Sequence, residues 1–231
     1  MLIKHILKEI FSFVHLRIKA GPLKGKKWIY TSGTKFINGT QEPYKVDAFT
    51  GNYIKGSVFY DIGAHFGYFS AIAAVLNEGE GRIFAFEPRP MNTRFFKKHM
   101  KLNGFENVTL FQTAVGETDG EVLFDSRHGS ASGFVSPKGN TRIRQVSIDR
   151  MVKDNTLPPP DFIKIDVEGG EIEALKGMKD VIAAHRPKII VATHNSKCHD
   201  FVISFLDENR YSYEVLKPDH DNGDTEIIAI P

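Results

Sequence analysis

The feature that most constrains this chain is the run Val58-Phe59-Tyr60-Asp61-Ile62-Gly63, which is apolar on successive positions apart from one acid and closes on glycine. A strand that does not alternate apolar and polar residues is buried on both faces, and such strands belong to parallel sheets covered by helices. The apolar stretch Tyr68 to Leu76 reads as the helix that follows. The same unit recurs along the chain. Arg82 to Phe86 reads as a strand, followed by an amphipathic helix from Pro90 to Asn103 with Gly104 as its stop. Val108 to Phe111 is a third strand. Phe162 to Asp166 is a fourth, with a helix over Glu168 to Met178. Lys188 to Ala192 is a fifth, with a helix over His199 to Asn209. Two further strands, Tyr213 to Leu216 and Glu226 to Ile230, are joined by the Asp/Asn/Gly-rich loop 218–224 and have no helix between them, so they are expected to pair antiparallel. Alternating strands and helices predict an α/β, doubly wound, mostly parallel sheet ending in a C-terminal antiparallel hairpin.

A chain of 231 residues accommodates one such domain with a substantial core. The repeating pattern spans residues 57–231 and is interrupted at about 116–147, where Glu121 to Phe124 and Arg142 to Val146 read as extra strands around a Gly/Ser-rich loop. Residues 1–56 read as a leading segment: a helix over Met1 to Ile18, then a β-rich or looped stretch from residue 21. Leu2, Ile3, Ile6, Leu7, Ile10, Phe11 and Val14 give that helix one apolar stripe. Its Lys4, Lys8 and Glu9 break the run before the ~20 apolar residues a bilayer span needs. Two uses of the stripe stay open, packing on the core or on a second copy in a homodimer, and peripheral contact with a membrane. The hydrophobic content of 41% and charged content of 25% exclude disorder and coiled coil. A net charge of +2 argues against a protein that coats nucleic acid by bulk charge. The single cysteine, Cys198, excludes an intrachain disulfide and a cysteine-rich zinc site and fits a cytoplasmic location.

Ligands of such sheets sit at the carboxyl ends of the strands, near the point where strand order reverses. Four of these ends carry polar chemistry. Asp61-Ile62-Gly63-Ala64-His65-Phe66-Gly67 runs from strand through a glycine turn into a helix N-terminus. Its glycines are four apart, which is not the dinucleotide spacing, and this argues against a nicotinamide-dependent oxidoreductase. Asp-x-Gly-x-x-x-Gly is a pattern that holds the methionine part of S-adenosylmethionine. Glu87, twenty residues after Gly67 at the end of the next strand, is placed to accept hydrogen bonds from ribose hydroxyls, and Pro88 ends the ladder beside it. After the third strand, Gln112 to Gly116, with Thr113 and Ala114, can edge an adenine. The fourth end is Lys164-Ile165-Asp166-Val167-Glu168-Gly169. A lysine inside a central strand requires a partner, and Asp149, Asp166, Glu168 and Glu171 are the candidates. Asp166 shares the mouth with Asp61 and can also cap the following helix.

Val58 to Ser70, Phe86 to Pro88, Ala114 to Gly120, Ser147 to Asp149 and Phe162 to Gly177 resemble the FkbM family of S-adenosylmethionine-dependent methyltransferases, most specifically in Lys-Ile-Asp-Val-Glu-Gly-x-Glu followed by Leu175-Lys176-Gly177. The resemblance implies the seven-stranded, Rossmann-like class I methyltransferase fold. It implies O-methylation of a hydroxyl on a sugar, glycolipid or small metabolite, and a cofactor role for Asp61, for Gly63, Ala64, His65 and Gly67, and for Glu87. The chain departs from the pattern at His65, where the family usually has Asn, and at Ala192, where an acid commonly precedes the histidine by two. An aliphatic hydroxyl calls for a nearby base. His194, ending the fifth strand, is the first candidate and Asp166 the second. Thr193, His194 and Asn195 offer no carboxylate cluster, so no metal is expected. His128, Ser130 and Ser132 of the inserted loop are placed to meet the acceptor. The competing readings are a cofactor-binding module without methyl transfer and a nucleic-acid methyltransferase, although no aromatic-rich basic module is visible to support the latter.

Overall fold

The computed structural model describes residues 11–125, 133–217 and 223–231. The leading segment departs from its expected form. Residues 1–10 of the expected helix, and His128, Ser130 and Ser132, lie outside the described residues. From residue 11 the chain is not that helix: Phe11–Phe13 is a single 3-10 turn, and β1 (His15–Arg17) pairs antiparallel with β2 (Lys27–Ile29). The turn chemistry of Gly21-Pro22-Leu23-Lys24-Gly25 overrides the helical spacing. Lys24 N–H donates to Gly21 O, Gly25 N–H to Ile18 O and Ile18 N–H to Lys26 O, so the hairpin satisfies the backbone groups. Beyond β2 the segment is helical rather than β-rich, with helices Thr34–Asn38 and Pro43–Asn52.

The main fold runs through β3 (Val58–Ile62), helix Tyr68–Asn77, β4 (Arg82–Phe86), helix Pro90–Asn103 and β5 (Val108–Phe111). The insertion follows as β6 (Ala114–Val115), β7 (Gly120–Asp125), β8 (Phe134–Val135) and β9 (Thr141–Val146), a separate four-stranded sheet. After the short helix Ile148–Lys153 come β10 (Phe162–Ile165), helices Glu171–Lys176 and Lys179–His185, β11 (Lys188–His194), helix Ser196–Glu208, β12 (Ser212–Lys217) and β13 (Asp224–Ile230). The central sheet has seven strands in the order β12-β13-β11-β10-β3-β4-β5. β3, β4, β5, β10 and β11 are parallel, and β13 lies antiparallel between β11 and β12. Strand order reverses between β3 and β10, so the chain leaves these two neighbours in opposite directions and opens a crevice above their carboxyl ends.

The period of two sorts the strand residues onto two cores. Phe59, Ile83, Ala85, Phe162 and Ile190 meet helices Tyr68–Asn77, Pro90–Asn103 and Pro43–Asn52 on one face. Tyr60, Ile62, Ile163, Ile165 and Val191 meet Ile148–Lys153, Glu171–Lys176, Lys179–His185 and Ser196–Glu208 on the other. The leading segment belongs to the first core. Ile18, Leu23, Trp28 and Phe49 are buried in it, so residue 56 is no packing boundary. Trp28 stacks on His99 with ring centroids 3.6 Å apart. His99 Nε2 accepts from Ile29 N–H and Nδ1 donates to Phe66 O, and burial pushes its pKa down to about 3, so the ring is neutral. No helix among the described residues is long and apolar enough to cross a membrane.

Candidate active site

Lys164 stands in the middle of β10 with 4% of its surface exposed. Its Nζ donates to Gly63 O at 2.8 Å and lies 3.3 Å from Asp61 Oδ1 and 3.9 Å from Asp166 Oδ2. Of the other expected partners, Asp149, Glu168 and Glu171, none is within ion-pair distance among the described residues; Glu168 and Glu171 face His194 instead. Asp149 caps the helix at Lys179–His185 by accepting from Asp180 and Val181 N–H. The second oxygen of Asp61 accepts from Ser70 N–H at 3.1 Å and Ser70 Oγ at 2.7 Å. Asp61 is fully buried and is not in the cavity lining; Oδ2 ties β3 to the following helix, while Oδ1 has the Lys164 ion pair and no hydrogen-bond partner among the described residues. Gly63 is required by packing: its φ is +78°, and a Cβ there would sit 1.8 Å from Asp166 O.

A second buried lysine comes from the leading segment. Lys45, on helix Pro43–Asn52, places Nζ 2.9 Å from Asp166 Oδ2, 3.0 Å from Glu42 Oε2 and 3.2 Å from Glu226 Oε1. Burial opposes its charge, but the three carboxylates outweigh burial and hold the ammonium protonated. Glu226 lies directly across from Ala192 in the β11–β13 ladder. Opposed residues share a face, so a carboxylate on the neighbouring strand stands where residue 192 itself carries none. Burial would raise the Asp166 pKa, yet Lys45, Lys164 and His194 hold it well below the usual carboxylate range.

Glu87 ends β4 almost fully buried. Its Oε2 accepts from His65 N–H at 2.9 Å, and its Oε1 accepts from Arg89 N–H at 2.9 Å and Asn92 Nδ2 at 3.2 Å. Burial raises its pKa, and these three donors oppose the rise. The groups converge on a cavity of about 360 Å³, at the small end of the range for small-molecule sites. Gly63, Ala64, His65, Glu87, Pro88, Thr113, Ala114 and Asp166 line it. Gly67 lies outside the lining; a Cβ there would press on Phe96 and Met100. Phe124 and Val135 of the inserted sheet close one side, and Ser32, Phe36 and Glu42 of the leading segment close another. Thr113 Oγ1 is buried with no hydrogen-bond partner among the described residues, which leaves it available to a polar ligand. Three non-glycine residues in the lining, Glu42, His65 and Glu168, have left-handed φ of 45°, 49° and 56°, strain of the kind that clusters at functional sites.

His194 is off the cavity lining and ends β11 amid three carboxylates. Its Nδ1 is 2.8 Å from Glu171 Oε1, and its Nε2 is 3.5 Å from Asp166 Oδ1 and 3.8 Å from Glu168 Oε2. Burial would lower its pKa, but the hydrogen bond to Glu171 and the charges of Asp166, Glu171 and Glu168 push it up to about 9. The ring is therefore an imidazolium at neutral pH, with no free lone pair to take a proton. Glu168 lines the cavity and has its pKa raised, by burial first and by Asp166, Glu171 and Asp224, against the opposing His194. The three ligand atoms of Asp166, Glu168 and His194 lie within 4.8 Å of one another, closer than the sequence expectation of no carboxylate cluster allowed. Lys45, Glu42 and Glu226 carried no sequence signal. Glu168 lay in the fourth motif, and the fold places it in the cavity lining.

The strand order, the crevice at its reversal and the acids at the ends of β3 and β4 define the class I methyltransferase fold. The chain belongs to the FkbM methyltransferase family, whose domain matches residues 61–213. The cofactor is S-adenosylmethionine. Among characterised relatives, the hexuronic acid methyltransferase AglP of Haloferax volcanii is 29% identical, over 71% of this chain and 67% of its own length. Methyltransferase 1 of Beauveria bassiana is 23% identical, over 71% of this chain and 75% of its own. The crystal structure of methyltransferase FkbM from Methylobacillus flagellatus superposes with a TM-score of 0.59 at 20% identity. The match covers 86% of this chain, and the chain spans about half of that protein, 51%. A precorrin-6y C5,15-methyltransferase from Geobacter metallireducens superposes at 0.53 and 21% identity, over 83% of this chain and 89% of its own. Both structures share the fold.

Proposed function

We propose that this protein transfers a methyl group from S-adenosylmethionine to a hydroxyl of a sugar, with uronic-acid glycosides as the first acceptors to try. The observation that carries the reading is Glu168, a cavity-lining carboxylate of raised pKa beside an imidazolium. The cofactor supplies an electrophilic methyl on a sulfonium. In this reading the remaining oxygen capacity of Glu87 binds the ribose hydroxyls, Thr113 Oγ1 takes a polar group of the nucleoside, and Asp166 and Glu168 provide the negative charge that a cationic ligand needs. Glu168 accepts the acceptor's proton as the methyl moves. Asp166 is too weak a base for that work, because its lysines keep it ionised, and His194 positions and balances Glu168. The sugar acceptor is drawn from the Haloferax relative, whose name states hexuronic acid methylation.

The test is cofactor consumption over uronic-acid glycosides, hexose glycosides, glycolipids and hydroxylated metabolites, with mass detection of one added methyl. Glu168→Gln should lower turnover ~10²–10⁴-fold while S-adenosylhomocysteine affinity stays within a few-fold. Cofactor binding without product across the panel would favour a binding module. Full turnover in Glu168→Gln would remove Glu168 from the proton step.

A further inference from the structure

Two segments of this chain carry basic residues and no acid. Residues 11–41 hold six Lys or Arg and residues 88–105 hold five, with neither Asp nor Glu in either stretch. All 28 acids lie elsewhere, with the remaining 19 basic residues, so the net charge of +2 conceals a strong segregation. The fold packs the two segments together. Trp28 stacks on His99, the Lys27 backbone exchanges hydrogen bonds with the Asn103 side chain at 2.8 and 2.9 Å, and Lys98 Nζ donates to Ser12 Oγ at 2.6 Å. Arg17, Lys19, Lys24, Lys97, Lys98 and Lys101 are exposed. Among them stand exposed apolar side chains: Phe13 at 71%, Tyr30 at 49%, Phe11 at 47% and Leu16 at 44%.

We propose that this face docks on an anionic lipid surface. A cluster of Lys and Arg is drawn to acidic headgroups, and aromatic and aliphatic tips among the cations enter the headgroup–acyl boundary. Leu16 stands in the patch with the aromatics, and an aliphatic side chain gains from lipid what it does not gain from stacking on a base. The face is a hairpin and the outer side of helix Pro90–Asn103, so it differs from the interfacial helix over residues 1–18 that the sequence suggested. Folding makes the face, by joining two stretches that residues 42–87 separate in the chain.

The test is flotation of the full chain with phosphatidylcholine vesicles and with vesicles mixed with phosphatidylglycerol, over a salt series. Wild type should float with the anionic vesicles only, less so as salt rises. The charge reversals Lys97→Glu, Lys98→Glu and Lys101→Glu together should lower the partition coefficient at least tenfold. Phe11→Ser with Phe13→Ser should lower it several-fold. Circular dichroism and S-adenosylhomocysteine calorimetry should be unchanged in both variants. Failure to float with anionic vesicles overturns the proposal, as does unchanged flotation of the charge-reversed variant. Tighter binding to a single-stranded oligonucleotide than to the vesicles, indifferent to the Phe substitutions, overturns it in favour of nucleic acid.

Discussion

The ammonium of Lys45 lies 2.9 Å from Oδ2 of Asp166, which joins a helix ahead of the methyltransferase pattern to the strand end that carries the family's most specific motif. The segment before residue 57 is thus part of the site. Lys45 is 2% exposed and faces three carboxylates, so Lys45→Met removes the cation that Glu42, Asp166 and Glu226 share and leaves only Lys164 and His194 beside Asp166. Loss of one partner from a buried pair costs ~3–5 kcal/mol. Urea unfolding of Lys45→Met should show a loss of that order, together with weaker S-adenosylhomocysteine binding. A variant as stable as wild type would mean that solvent reaches the cluster.

The His194 ring makes a pH prediction. Its pKa is pushed up to about 9 from an ordinary value of about 6.5, so it binds its proton more tightly folded than unfolded. The stability this provides is fully present below about pH 6.5 and is lost as pH rises through about 9, amounting to ~3 kcal/mol at most. The stability gap between wild type and His194→Gln should therefore close between about pH 6 and about pH 10. An NMR titration of the ring with a midpoint near the ordinary value would contradict the carboxylate cage.

Strands such as Val58–Ile62 and Lys188–His194 were legible because burial on both faces demands short runs of apolar residues, which glycine turns and helices then bound. Helix Pro43–Asn52 was not legible, because its inward face carries Lys45 among apolar residues, and a buried lysine reads in sequence as a solvated one. Residues 11–18 failed in the opposite sense: a three-and-four apolar spacing suggested a helix, while the glycine turn that follows selected a hairpin. At the site, Glu87 and Asp166 were readable from their strand ends. The proton affinities of His194 and Glu168 were not, because they depend on Glu171, Asp224 and each other, brought together by three separate elements.

Gly63 and Gly79 separate conformational cost from steric cost. Both have left-handed φ, +78° and +86°, so alanine costs ~1–2 kcal/mol at either from backbone strain. A Cβ at Gly79 meets nothing within 4 Å, whereas at Gly63 it lies 1.8 Å from the carbonyl oxygen of Asp166. Relief would need β3 and β10 to part. Gly79→Ala should lose only the strain term, and Gly63→Ala should lose at least ~3 kcal/mol more or fail to fold. Equal thermal shifts in the two variants would show that the close approach of the strands is not maintained.

Thr113 and Glu87 should respond with opposite signs of stability. Glu87→Ala removes three hydrogen bonds, those from His65 N–H, Arg89 N–H and Asn92 Nδ2, each worth ~0.5–1.5 kcal/mol. It should lower stability, and it should lower S-adenosylhomocysteine affinity at least tenfold, about 1.4 kcal/mol. Thr113 Oγ1 has no partner among the described residues, so Thr113→Val removes a buried unsatisfied hydroxyl while keeping the shape of the side chain. The free protein should become as stable or slightly more stable, by up to ~1 kcal/mol. If the hydroxyl exists to meet the nucleoside, the same substitution should weaken S-adenosylhomocysteine binding by about three- to tenfold, the worth of one ~0.5–1.5 kcal/mol hydrogen bond. Calorimetry and thermal unfolding on the one variant decide it. Raised stability with reduced affinity assigns the hydroxyl to the ligand, and unchanged affinity moves the nucleoside away from the loop after β5.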